Sequence, residues 1–271
     1  MFTLLNNLKF KNLTGFTILF FKMVNKLNSL EKQQELLLNK KSDFRLVNIA
    51  KYIYKKLPKK NGKLLDVGCG NGQMLLFFKS KGYSVTGIEY SNKIFKILKR
   101  EKKFNRIKIT NEDITKKRGR ETYDFVLASD VIEHIKDDYT ALGNLFSFVK
   151  PGGILIITVP AFSFLYGKRD FILGHFRRYD KSRLIIMAKN LGGRIKMISY
   201  WNFFGFFIYF FYEKILKKNI NENFRYGASS LNKLIVSFCS VLLRLETLIG
   251  FSPIGLTLIC LIEKKVKRLN F

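Results

Sequence analysis

Between residues 43 and 200 the apolar positions of this chain keep two periods that take turns. Short, nearly continuous apolar runs read as strands buried on both faces, and apolar residues at i, i+3 and i+4 read as helices packed against them. The pattern predicts helix over Phe44–Leu57, strand over Lys63–Val67, helix from Gly72 to Gly82, strand over Ser84–Glu89, helix over Ser91–Phe104 and strand over Arg106–Thr110. Strands Phe125–Ser129 and Ile154–Val159 follow around a helix at Asp137–Val149. Helix Lys181–Leu191, strand Arg194–Ser199 and a last strand at Leu256–Ile262 complete the series. Strands separated by helices require parallel βαβ units with both sheet faces covered, so the expected fold is α/β with a doubly wound sheet.

Between the last two strands lies an apolar stretch, Tyr200–Ser252, too long for an ordinary connection and expected to be a helical insertion, either a lid or a membrane-facing appendage. Its uncharged window Met197–Tyr212 is strongly aromatic and is followed by Lys214, Lys217 and Lys218, which suits a headgroup interface. Neither that window nor Thr247–Ile262, at 16 residues each, reaches the roughly 20 apolar residues of a membrane span. Upstream, Leu13–Phe21 resembles a signal peptide but has no small-residue cleavage site before Lys22, and Met23 is an alternative start. The expected organisation is thus an N-terminal extension (1–42), a core (43–200), the insertion (201–252), and a final strand with a basic tail (253–271).

Composition narrows the class. Hydrophobic residues make up 47% and charged residues 25%, which fits a globular core and excludes a disordered or collagenous chain. Cys69, Cys239 and Cys260 are odd in number, widely spaced and without C-x-x-C pairs, so neither a disulfide framework nor a zinc site is expected, and a cytoplasmic location is. The 49 Lys and Arg against 20 Asp and Glu leave a net charge of +29, which points to an anionic partner or to an AT-rich coding sequence.

In doubly wound sheets ligands bind beyond the carboxyl ends of the strands. The first strand ends there in LLDVGCGNGQ, with Asp66 ahead of Gly68, Gly70 and Gly72. A dinucleotide fingerprint would place glycine three residues after Gly70, where Gln73 stands. An acid at Asp66 is also repelled by a pyrophosphate and attracted by a cation. Glu89 follows Gly68 by 21 residues at the end of the second strand, where a carboxylate can accept both hydrogen bonds of a ribose diol. These features favour a nucleoside with a cationic, amine-bearing tail.

D-x-G-x-G-x-G at Asp66–Gly72 resembles motif I of the class I S-adenosylmethionine-dependent methyltransferases, and the likeness runs over residues 43–200. It implies a Rossmann-like sheet of about seven strands with the last antiparallel. It also implies S-adenosylmethionine as cofactor, held by Asp66, Gly68, Cys69, Gly70 and Gly72, by Glu89 and Tyr90, by Asp113 and Ile114, and by Ser129 and Asp130. The blocks YDFVLASDVIEHIKDD and FVKPGGILIITVP match those that follow in the family, and S-D-V-I-E-H is similar to the ubiquinone-pathway O-methyltransferases. A bacterial subgroup reads HFRRY after the fifth strand, here His175–Tyr179 after Gly174, and closes with P-x-G-x-x-L, here from Pro253 toward Lys264. Where its members often carry histidines, this chain has Arg169 and Gly174.

Methyl transfer from a sulfonium requires a nucleophile held about 3–3.5 Å from the methyl and, for a hydroxyl or amine, a base. His134 and His175 are the two histidines of the chain, in the loops after the fourth and fifth strands, and both are candidate bases. Arg177, Arg178 and Tyr179 beside His175 suggest an anionic acceptor, since guanidinium suits carboxylate or phosphate. The expected acceptor is a small, lipid-linked or glycan-type hydroxyl compound, with an anionic membrane surface as a further partner and no metal. Nucleic acid is disfavoured because the N-P-P-Y clamp and the Pro-Cys nucleophile of base methyltransferases are absent, leaving RNA methylation as an alternative. A non-catalytic, membrane-associated nucleoside-binding protein is another; a nicotinamide oxidoreductase is disfavoured by Gln73.

Overall fold

The computed structural model describes residues 43–116, 119, 121–217 and 229–266. The expectations for residues 1–42, for Lys218 and for the end of the basic tail lie outside them. In chain order the principal elements are α1 (Phe44–Lys56), β1 (Gly62–Val67), α2 (Gln73–Ser80), β2 (Tyr83–Glu89), α3 (Asn92–Arg100), β3 (Lys108–Asn111), β4 (Tyr123–Ser129) and α4 (Asp138–Ser147). Then come β5 (Val149–Pro160), α5 (Lys168–Leu173), α6 (Lys181–Asn190), β6 (Arg194–Trp201), α7 (Phe203–Phe210), α8 (Ser230–Ile249) and β7 (Thr257–Glu263). The strands form one seven-stranded sheet in the order β3-β2-β1-β4-β5-β7-β6. All pairings are parallel except those of β7, which runs antiparallel between β5 and β6.

Strand side chains alternate between the two faces. Leu64, Phe125, Leu127, Ile154, Ile156 and Ile259 pack under α1, α2 and α8. Their neighbours Leu65, Val126, Ala128, Leu155, Ile157 and Leu258 pack under α4 and α6. The strand order reverses at β1/β4, so the loops after these strands open the crevice where such sheets bind ligands.

The expected alternation of elements is present, with shifted ends. The helix drawn to Phe104 stops at Arg100, because Glu101 turns to extended angles and a 3-10 turn takes Lys102–Phe104. That turn closes with Ile107 N–H donating to the Phe104 carbonyl, so β3 starts at Lys108 rather than Arg106. β5 starts five residues early because Gly152 and Gly153 exchange backbone hydrogen bonds with Lys264 beyond β7. The insertion is helical where described. α7 runs into a single wide π-type turn at Phe211–Ile215, and α8 lies on α1. Buried Glu246 of α8 accepts from Phe203 N–H at the start of α7, joining the two helices.

Candidate active site

The loop between β1 and α2 is built from glycines in left-handed conformations. At Gly68 (φ 69°) an added Cβ would stand 2.7 Å from Val131, and at Gly72 (φ 72°) one would stand 2.5 Å from the Phe104 ring. The loop is therefore folded tightly, at positions where only glycine fits. Gly68 and Cys69 N–H both donate to the Ile88 carbonyl, tying the loop to β2. Glu89 at the end of β2 accepts from Gly70 N–H and Ser91 N–H, both at 2.8 Å. These two amides fix the carboxylate at the end of the strand.

Asp66 is buried, and its Oδ2 lacks a hydrogen-bond partner. Burial first, and then the charge of Glu89, push its pKa well above the usual carboxylate range. An acid so placed gains most from a cation, so the residues fit S-adenosylmethionine and its amine-bearing tail. Asp113 is half-buried after β3 and folds its Oδ1 onto Thr115 N–H and Oγ1, while Ile114 beside it is buried. Ser129 is hydrogen-bonded to Thr158 at 2.8 Å. Asp130 stands at φ 55° and pairs with Arg45 of α1. Tyr90 is 60% exposed and Cys69 buried, so those two side chains point to opposite surroundings.

The loops after β4 and β5 meet at the same edge. Phe176 N–H donates to the Glu133 carbonyl at 2.7 Å, which brings the His175 loop against the 3-10 turn Ile132–His134. The His134 and His175 rings meet edge to face at 4.7 Å. His175 Nδ1 lies 2.7 Å from Oδ1 of Asp170, a carboxylate with no exposed surface. Burial alone would raise the pKa of Asp170. The hydrogen bond from His175 and the charge of Arg178 outweigh it and hold the acid at about 2. An ionised carboxylate only accepts, so Nδ1 carries a proton, and the lone pair of the neutral ring falls on Nε2. Asp170 also accepts from Arg178 Nε at 2.8–2.9 Å, from Gly167 N–H at 3.1 Å and from the Tyr209 hydroxyl of α7 at 3.2 Å.

Arg177, Arg178 and Tyr179, expected to meet an anionic acceptor, are engaged within the protein instead. Arg178 is buried against Asp170, the Ala161 carbonyl and the face of Tyr209. Arg177 donates to the Ile135 and Lys136 carbonyls and pairs with Asp138. Tyr179 has no exposed surface and donates to Asp138 at 2.7 Å. The physical reason is local supply: two buried acids, Asp170 and Asp138, need cationic partners where the loop passes them.

Sequence reasoning missed Asp170 as the partner of His175, Arg45 as the partner of Asp130, and Glu133. Glu133 is fully buried, and neither carboxylate oxygen has a hydrogen bond. Burial, then the charge of Asp130, push its pKa well up and favour the neutral acid. Among the described residues Glu133, His134 and His175 bring one ligand atom each within 4.8 Å of one another, a set able to take a divalent cation. The cysteine spacing on which the no-metal expectation rested carries no information about this group.

A seven-stranded sheet with β7 antiparallel and a glycine loop flanked by Asp66 and Glu89 is the architecture of the class I S-adenosylmethionine-dependent methyltransferases. The methyltransferase-domain family model matches residues 42–214, and the chain belongs to that family. A ubiquinone biosynthesis O-methyltransferase of Bradyrhizobium sp. (strain ORS 278) is 34% identical over 98 residues, covering 35% of this chain and 39% of the relative. The matches thus span about half or less of the length of the curated relatives. Among solved structures, the phosphoethanolamine N-methyltransferase 2 of Haemonchus contortus, in complex with S-adenosyl-L-methionine, is similar with a TM-score of 0.52. Its identity is 18%, over 82% of this chain and 53% of that one. A SAM-dependent methyltransferase from Archaeoglobus fulgidus gives 0.52 at 19% identity, over 82% and 95%. At such identities the structural likeness speaks for the fold.

Proposed function

We propose that this methyltransferase transfers its methyl group to an oxygen of a small, lipid-linked or glycan-type acceptor, working at the inner face of a membrane, with His175 taking the hydroxyl proton. The observation that carries this reading is the Asp170–His175 pair, which supports Nδ1 as the protonated nitrogen and so Nε2 of the neutral ring as the base. The name of the Bradyrhizobium relative, an O-methyltransferase, supports oxygen as the receiving atom.

S-adenosylmethionine, when bound, supplies a methyl on a sulfonium whose transfer consumes a positive charge. In our reading Asp66 pairs with the donor's ammonium group, Glu89 with the ribose hydroxyls, and Asp113 with the adenine amine over Ile114. Cys69 and Tyr90 border the nucleoside, Gly68, Gly70 and Gly72 let the backbone approach it, and Ser129 with Asp130 borders the methionine portion. Arg45 pairs with Asp130 and so holds α1 against this edge. His134 packs on the His175 ring and limits its rotation. Arg177, Arg178 and Tyr179 shape the loop that carries the base, through Asp138 and Asp170.

The test is to incubate purified protein with tritiated S-adenosylmethionine and a bacterial membrane lipid extract. Label should enter the organic phase and vanish with His175→Gln. Label confined to added RNA would overturn the acceptor reading and favour the RNA alternative that the +29 charge keeps open.

A further inference from the structure

α8 is a 20-residue helix with one side on the core and another side apolar and open. Its core side is set by Leu243, Glu246 and Thr247. On the other, Leu231, Leu234, Phe238, Val241, Leu245 and Leu248 recur at three- and four-residue spacing, and all are exposed, Phe238 by 65% and Leu248 by 70%. Phe204, Phe207 and Phe211 add exposed rings from α7 and the turn that follows it. Exposed apolar side chains in this number mark an interaction site.

Charge selects the occupant. The cations of the described insertion are Lys214, Lys217, Lys233 and Arg244; its acids are Glu213 and Glu246, of which Glu246 is buried. At about 100° per residue, Lys233 and Arg244 sit on the flank of the apolar stripe, roughly a third of a turn from Phe238. They also line one open groove of about 290 Å³, with Phe44, Val236, Ser237, Ser240 and Val241. An apolar band edged by cations is the profile of a helix lying in a headgroup layer, with long side chains reaching back to phosphates. No helix among the described residues is long and apolar enough to cross a membrane, so the geometry suits contact along the surface.

We propose that the α7–α8 face docks on an anionic lipid bilayer, with the groove beside Lys233 and Arg244 receiving a lipid phosphate. The inference rests on the reading of the acceptor as lipid-linked and adds to it the surface and the lipid charge. α7 and the turn after it also reach the surroundings of His175. The other side of α7 gives Tyr209 to Asp170, and Lys214 donates to the Tyr166 carbonyl while the Tyr166 hydroxyl donates to that of His175. Docking would therefore set the His175 loop close to the bilayer surface.

The test is co-sedimentation of the full chain with vesicles of phosphatidylcholine alone or with one-third phosphatidylglycerol, without acceptor or methyl transfer. The phosphatidylglycerol vesicles should bind at least about ten-fold more protein, and added salt should reduce that binding. Phe207→Glu with Phe238→Glu, and separately Lys233→Glu with Arg244→Glu, should each remove the excess. Both variants should keep the native circular dichroism spectrum and donor affinity. Equal binding to both vesicle types, or unchanged binding by the variants, overturns the proposal. So does a dimer in light scattering that Phe238→Glu dissociates, since a second copy would then cover the face. Because no turnover is read, a failure here leaves the methyltransferase reading standing, and failure of label transfer leaves docking standing.

Discussion

Replacing Asp170 with asparagine keeps the shape of the side chain and removes the charge on which the proposed base, His175, depends. Five hydrogen bonds converge on this carboxylate, from His175, Arg178 (twice), Gly167 and Tyr209. An amide offers one acceptor oxygen, so its NH2 must face either the guanidinium or the imidazole. Facing the imidazole, it draws the histidine into the other tautomer and places the proton on Nε2, where the lone pair is needed. Loss of a general base slows transfer about 10²–10⁴-fold, or roughly 3–5 kcal/mol of barrier at 1.36 kcal/mol per decade. Leaving Arg178 buried without its counter-charge costs about 3–5 kcal/mol of stability, within the usual 5–15 kcal/mol of a domain but a large part of it. The assay is a single-turnover rate at saturating tritiated donor and low temperature, with circular dichroism to confirm folding and calorimetry to confirm unchanged donor affinity. Raising the pH should not restore the rate, because the defect is the tautomer. A folded Asp170→Asn variant that binds donor and turns over within three-fold of the parent would refute His175 as the base and Asp170 as its positioning residue.

Gly68→Ala should weaken donor binding by about ten-fold or more, because a Cβ at φ 69° adds about 1–2 kcal/mol of backbone strain and also strikes Val131; calorimetric Kd values check it. Asp170 has a pKa near 2 in the folded chain against an ordinary 3.8. Its stabilisation is therefore complete above about pH 4 and is lost as pH falls to about 2, by about 2 kcal/mol at 1.36 kcal/mol per unit. Urea midpoints of the parent should drop in that window more steeply than those of Asp170→Asn. Glu133 has the opposite sign, its raised pKa contributing stability that is lost as pH rises, so Glu133→Gln should raise the thermal midpoint at neutral pH. A chelator should leave the transfer rate unchanged if His175 acts as a base. Loss of rate that a divalent cation restores would transfer the role to the Glu133, His134 and His175 group.

The fold was readable because β strands buried on both faces leave continuous apolar runs, and because Gly68, Gly70 and Gly72 mark a turn that few other residues can make. The acids proposed to hold the donor follow from a local pattern: Asp66 and Glu89 stand at strand ends, and Asp113 lies just past one. The acceptor side was less readable. HFRRY shows two arginines but not the acids they will meet, and Asp170 becomes the partner of His175 only when α5 turns the chain back over five residues. Arg45 reaches Asp130 across 85 residues, a distance that no local pattern spans. Glu133 is buried where the loop after β5 meets its turn, a contact the local sequence does not show. The 3-10 turn at Lys102–Phe104 reads as helix in the sequence because its apolar Phe104 continues the helical spacing of α3.

The most direct measurement is calorimetric titration of the purified, natively folded chain with S-adenosylmethionine, alongside Asp66→Ala and NADH as controls. Saturable heat at one site per chain is expected for the parent, with at least ten-fold weaker binding by Asp66→Ala and none for NADH. An absence of heat with S-adenosylmethionine, or saturable heat with NADH in its place, would contradict the account.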